Sequence, residues 1–72
     1  MDYKQIGRRF RWLRKRADLT QEMAAEFVDI SPSFLGHIER GTRIMSLDSF
    51  VRLCTLYRVS ADAVLGINRQ NH

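Results

Sequence analysis

The chain has 72 residues, 44% of them hydrophobic and 28% charged, with a formal net charge of +4. That length gives one small domain, the apolar fraction excludes a disordered chain, and no apolar run is long enough to span a bilayer. Cys54 is the sole cysteine, so an internal disulfide and a cysteine-based metal spacing are excluded.

Positive charge gathers at one end. Residues 1–17 hold Lys4, Arg8, Arg9, Arg11, Arg14, Lys15 and Arg16 against Asp2 alone. Arg40, Arg43, Arg52, Arg58 and Arg69 share the remainder with every other acid of the chain. A concentrated basic surface favours a polyanionic partner through phosphate contacts and counterion release, or it is a solvated face that aids solubility; charge alone does not choose. The basic N-terminus is not followed by the apolar core of a signal peptide, and with the lone cysteine this fits a reducing, cytoplasmic setting.

From Tyr3 onward the pattern is helical, with no convincing strand alternation. A first helix is predicted over Tyr3 to Ala17, where Ile6, Phe10, Leu13 and Ala17 make one apolar stripe. Thr20 caps a second helix, with Glu22 favourable to its dipole, Ala24, Ala25 and Val28 facing inward, and Asp29 at its end. Ser31 caps a third helix that opens on Pro32, turns Leu35 and Ile38 to the core and stops at Gly41. Ser46 caps a fourth helix, Leu47 to Tyr57, expected to bury Leu47, Phe50, Leu53, Cys54 and Tyr57. A short fifth helix, Ala61 to Leu65, follows Ser60 and ends at Gly66, with Val59, Val64 and Leu65 closing the core. Residues 1–67 are thus read as one domain and residues 68–72 as a short C-terminal tail.

The stretch Thr20 to Gly41 carries most of the functional information. Two short helices joined by a tight turn are the layout of a helix-turn-helix, whose second helix enters the DNA major groove. Further fragments appear in order: Ile6-Gly7, Leu13-Arg14-Lys15, Leu19-Thr20-Gln21-Glu22, Ala25, Ile30-Ser31, Ile38-Glu39-Arg40-Gly41, Ser46-Leu47 and Val59-Ser60. Each is weak alone. Together, over about Ile6 to Gly66, they resemble the Cro/repressor-type, or Xre-like, helix-turn-helix proteins. The resemblance implies an all-α, five-helix, lambda-repressor-like DNA-binding domain.

It also implies roles. Gln21 matches a residue that bonds a backbone phosphate at a helix N-terminus, next to Thr20. Arg14 and Glu39 match a partly buried ion pair tying the first helix to the third. On the outward face of the third helix, Pro32, Ser33, Gly36 and His37 are candidates to reach base edges, Ser33 and His37 foremost. Phe34, Arg40 and Arg43 are candidates for the sugar-phosphate backbone, with Phe34 equally able to complete the core edge. Gly36 costs helix stability, and close approach to DNA, a packing requirement or drift would each account for it. Several positions depart from the family pattern. Asp18, Asp29 and Arg58 stand where Gly is common, and Trp12, Met23 and Phe27 are apolar where polar or charged residues are usual. An extra apolar cluster between the first two helices is the favoured reading of those three, against an exposed partner patch.

The expected function is a sequence-specific DNA-binding regulator, a repressor, acting as a homodimer on double-stranded DNA. Residues 61–67 with Leu56 are the expected dimer surface, from position only. The alternative is an antitoxin or anti-regulator whose main partner is a protein. An enzyme is not expected: His37 and His72 lack an acid or cysteine partner in sequence, and no phosphate-binding glycine loop appears. No cofactor, metal, membrane or small-molecule ligand is called for by the residues.

Overall fold

The computed structural model describes residues 1–67. The predicted tail, residues 68–72, and with it Arg69, lies outside the described residues. Five α-helices follow in order: α1 Tyr3–Arg16, α2 Gln21–Val28, α3 Pro32–Arg40, α4 Leu47–Tyr57 and α5 Ala61–Leu65. The described residues contain no strand, in agreement with the all-α expectation.

Each helix starts where a short polar side chain can serve an orphan backbone donor. Thr20, Ser31, Ser46 and Ser60 accept from the amides of Met23, Phe34, Ser49 and Ala63 at 3.0–3.1 Å. Asp2 does the same for Gln5 in front of α1. Four of the helices turn off through left-handed residues. Asp29 (φ 60°), Gly41 (φ 74°), Arg58 (φ 54°) and Gly66 (φ 74°) are the caps, and Asp18 (φ 61°) follows the end of α1. Glycine makes this conformation without cost; the two aspartates and Arg58 carry a Cβ there.

The core is one cluster built from all five helices: Ile6, Phe10, Ala24, Ala25, Val28, Leu35, Ile38, Leu53, Cys54 and Val64. The Phe10 ring meets Phe50 edge-on, with centroids 5.7 Å apart, and tilts against Tyr57. α1 packs mainly on α3 and more lightly on α5 and α4, while α2 packs on α3 and α4. α3 therefore stands between the first two helices.

That arrangement corrects three expectations. Trp12, Met23 and Phe27 do not form an internal cluster; they are 58%, 46% and 69% exposed. With α3 interposed, the outer faces of α1 and α2 cannot meet, and Trp12 is instead covered by the Arg16 guanidinium, 5.1 Å from its ring centroid. Leu47 was expected in the core and is 77% exposed. It is the first residue after the Ser46 cap, and the inward position of that turn goes to Ser49, whose hydroxyl accepts from Ser46 at 3.1 Å. Ala17 falls off the α1 stripe because the helix ends at Arg16 and Asp18 turns the chain away.

Candidate nucleic-acid interface

The position of α3 is set by two contacts with α1, one steric and one ionic. At Gly7 the α1 backbone lies directly on the last turn of α3. A Cβ there would stand 2.7 Å from the Glu39 carbonyl oxygen and closer still to that of Ile38. Two turns further along α1, Arg14 reaches Glu39 through two parallel bonds, Nε to Oε2 at 2.7 Å and Nη2 to Oε1 at 3.0 Å. Both side chains are nearly closed to solvent, at 9% and 1% exposure. The remaining guanidinium nitrogen donates to the Leu19 carbonyl at 2.9 Å, in the loop before α2. Glu39 Oε1 also accepts from Gln21 Nε2 at 3.1 Å, at the first residue of α2. A carboxylate on α3 thus gathers the end of α1 and the start of α2 into one network. Its hydrogen bond, ahead of the opposing effect of burial, raises the Arg14 pKa above its ordinary value, so the cation is permanent.

With Leu35 and Ile38 wholly buried, the opposite side of α3 is what solvent sees. Pro32, Ser33 and Arg40 are exposed, His37 is half-buried, and Phe34 packs partly against the core. His37 is engaged: Nδ1 lies 2.9 Å from the Thr42 hydroxyl, which is also 3.2 Å from the His37 carbonyl. Thr20 is exposed with its hydroxyl spent on the α2 cap, and Arg43 is exposed in the loop after α3. Gly36 does not lie bare to solvent. The Arg40 guanidinium and the Gln21 amide fold over it, 3.1 and 3.6 Å from where a Cβ would stand. No backbone or core atom crowds that point, so a packing requirement for glycine finds no support.

Gln21, Gly36 and Arg40 line one groove of about 470 Å³ together with Glu39 and three α1 residues, Lys4, Arg8 and Arg11. Sequence reasoning did not place those three at the interface. Their spacing of four and three, on the α1 face that carries Gly7 against α3, is the signal that could have done so. Among the described residues, no group of His, Cys, Asp and Glu could hold a metal ion. No described helix is long and apolar enough to cross a membrane. Cys54 is buried, and burial pushes its thiol pKa up, away from a reactive thiolate.

A family model described as a helix-turn-helix domain matches residues 5–65. The chain belongs to the helix-turn-helix domain family. The resemblance read from the motifs is thereby borne out. The chain is 38% identical over 61 residues to the HTH-type transcriptional regulator ImmR of Bacillus subtilis (strain 168), covering 85% of this chain and 48% of that one. It is 43% identical over 56 residues to an uncharacterized HTH-type transcriptional regulator of the same organism, YazB, covering 78% and 81%. The chain spans about half the length of ImmR and of a further relative, YobD. Among solved structures, it superposes on the restriction-modification controller protein C.AhdI from Aeromonas hydrophila with a TM-score of 0.81 at 32% identity, over 88% of this chain and 96% of that one. On the clp gene regulator ClgR from Corynebacterium glutamicum the TM-score is 0.83 at 26% identity, over 90% and 83%.

Proposed function

We propose that this chain is a sequence-specific DNA-binding transcription regulator that lays α3 in the major groove. The observation that carries this reading is the division of α3 into a wholly buried side and a solvent side of short polar and cationic residues. The names of its relatives support the regulatory part: ImmR is a transcriptional regulator, C.AhdI a controller protein and ClgR a gene regulator.

Base readout then falls to Pro32, Ser33 and His37, with Gly36 beneath Arg40. Thr20, Gln21, Phe34, Arg40 and Arg43 hold the sugar-phosphate backbone. Thr42 has one hydroxyl proton. Assigned to the His37 carbonyl, it leaves the hydroxyl oxygen to accept from Nδ1–H, and His37 then presents Nε2 as an acceptor. An acceptor in the major groove matches the amino groups of adenine or cytosine. Arg14 and Glu39 act indirectly, by holding Gln21 and α3 in register.

Homodimerisation, with two copies of α3 reading successive major grooves about 34–36 Å apart, fits the half-exposed Ile67 and the partly buried Leu56 and Leu65. Repression follows where such an operator overlaps a promoter. The protein acts in the cytoplasm, on this reading. A second reading, a module whose main partner is a protein, rests on the exposed Met23 and Phe27.

Binding-site selection from random duplexes tests the first against the second. The intact protein enriches a symmetric site. His37→Ala changes the preferred base at one position per half-site, and Arg40→Ala weakens all sites about equally. No enrichment, with salt-insensitive binding, would sink the DNA-binding reading.

A further inference from the structure

We infer that the groove between α1 and α3 extends the backbone-binding surface onto α1, where Lys4, Arg8 and Arg11 seat a DNA phosphodiester beside α3. This rests on the DNA-binding reading and extends the interface to a helix that lies outside the helix-turn-helix.

Three observations carry it. Lys4, Arg8 and Arg11 recur at the spacing that stacks them along one helix face. α1 is pressed so closely to α3 that the Cα of Lys4 stands 2.5 Å from where a Cβ on Gly41 would be. The stripe therefore runs beside the solvent side of α3 and shares one groove with Arg40 and Gln21.

The charges in this groove are also uncompensated. The described ion pairs are Arg14–Glu39 and Arg52–Asp48, and neither uses a groove cation. Glu39 is the acid that lines the groove, and both its oxygens are already taken, Oε2 by Arg14 and Oε1 by Arg14 and Gln21. Four cations, Lys4, Arg8, Arg11 and Arg40, thus face a common space whose lining acid, Glu39, is already paired with Arg14.

Finally, the groove is covered at Gly36 by a long, flexible side chain. The Arg40 guanidinium lies over Gly36, where no side chain anchors it. An arriving phosphate can draw it outward and find the glycine backbone beneath, with the three α1 cations on the other wall.

The test compares two charge-matched double variants of the full chain, Arg8→Gln/Arg11→Gln on the groove and Arg52→Gln/Arg58→Gln away from it. Glutamine preserves helix propensity, and Arg8, Arg11, Arg52 and Arg58 are all exposed, so folding is retained. The readout is fluorescence anisotropy with a random-sequence duplex between 50 and 200 mM salt. Each neutralised phosphate accounts for about 3.5-fold of the affinity lost over that range, from a slope near 0.9 per phosphate. The groove variant is expected to lose at least one such factor from its salt dependence while keeping the wild-type base preference in selection. The distal variant keeps the wild-type slope. Phosphate-ethylation interference should lose a backbone position in the groove variant and in no other. Equal effects of the two variants, or a groove variant indistinguishable from wild type, would overturn the inference while leaving the DNA-binding reading intact. Absence of salt-dependent binding by the wild type would remove both.

Discussion

Arg14 and Glu39 give the sharpest separation of structural from functional roles. Arg14→Met removes the cation from a pair whose carboxylate is 1% exposed, leaving Glu39 with Gln21 Nε2 as its remaining side-chain donor. Stranding one member of a buried pair costs about 3–5 kcal/mol. A 72-residue chain has roughly 4–11 kcal/mol of total stability at about 0.05–0.15 kcal/mol per residue, so the single variant forfeits roughly a quarter or more of it. Arg14→Met/Glu39→Leu removes both charges and fills the space with apolar atoms. Such replacements are typically neutral or stabilising by about 1–4 kcal/mol, offset here by the donor lost to the Leu19 carbonyl. The double variant should therefore be more stable than Arg14→Met alone, with a coupling energy of a few kcal/mol.

Urea unfolding followed by helical circular dichroism measures this directly, provided the m-value is unchanged among the variants. DNA affinity supplies the second readout. The double variant recovers stability but leaves Gln21 without its Glu39 anchor, so affinity for the selected site should stay below wild type. Additive single-variant costs would refute the buried-pair energetics. Full recovery of both stability and affinity would refute the idea that Glu39 positions the α2 N-terminus.

Two glycines should behave oppositely. Gly7→Ala drives a Cβ into the Ile38 and Glu39 carbonyls, backbone atoms that cannot yield, and should cost about 3 kcal/mol, the upper end for overpacking. Gly36→Ala meets only the flexible ends of Arg40 and Gln21 and should stabilise α3 by about 0.5–1 kcal/mol in the same unfolding assay. Arg58→Gly, at φ 54°, relieves a left-handed non-glycine cap and should raise stability by about 0.5–1 kcal/mol; unchanged stability would mean Arg58 has a compensating role. Burial raises the pKa of Cys54 above 9.0 and that of Tyr57 above 10.0. Native protein then holds protons that the unfolded chain releases, so stability is full below about pH 9 and falls as pH rises beyond it. Tyr57→Phe should flatten the alkaline decline and cost little at neutral pH, since the Tyr57 hydroxyl has no hydrogen-bond partner among the described residues. A steeper decline in that variant would contradict the assignment.

The parts of this structure that were legible in sequence are those fixed by local chemistry. Ser31-Pro32 and Gly41 bound α3 because capping and φ restriction act within four residues, and the same holds for Thr20, Ser46 and Ser60. What depends on which helices are neighbours was not legible. Trp12, Met23 and Phe27 sit at spacings that permit a cluster, and only the interposed α3 forbids it. Leu47 matches the apolar period of α4, yet at the first turn that period points past the core. The basic face of α1 was visible as composition, but its place beside Gly36 follows from the Gly7 contact, a long-range fact.

The make-up of this interface also bears on how the chain would find its site. The side chains free to reach base edges are few: Ser33 is short, Gly36 has none, and His37 commits one ring nitrogen to Thr42. The cations are many, and the proposed reading gives Lys4, Arg8, Arg11, Arg40 and Arg43 to the phosphates. Phosphate contacts fix register without carrying sequence information directly, so if the chain binds as the proposed dimer, discrimination draws on the cost of deforming the duplex between its two half-sites. Selected sites should therefore be restricted at central base pairs that α3 cannot reach. Replacing those pairs with inosine–cytosine or diaminopurine–thymine, which change minor-groove groups and flexibility while keeping the major-groove edge, should alter affinity several-fold. If every restricted position lay under α3, and central replacements had no effect, direct readout by Ser33 and His37 would suffice and the deformation argument would fall.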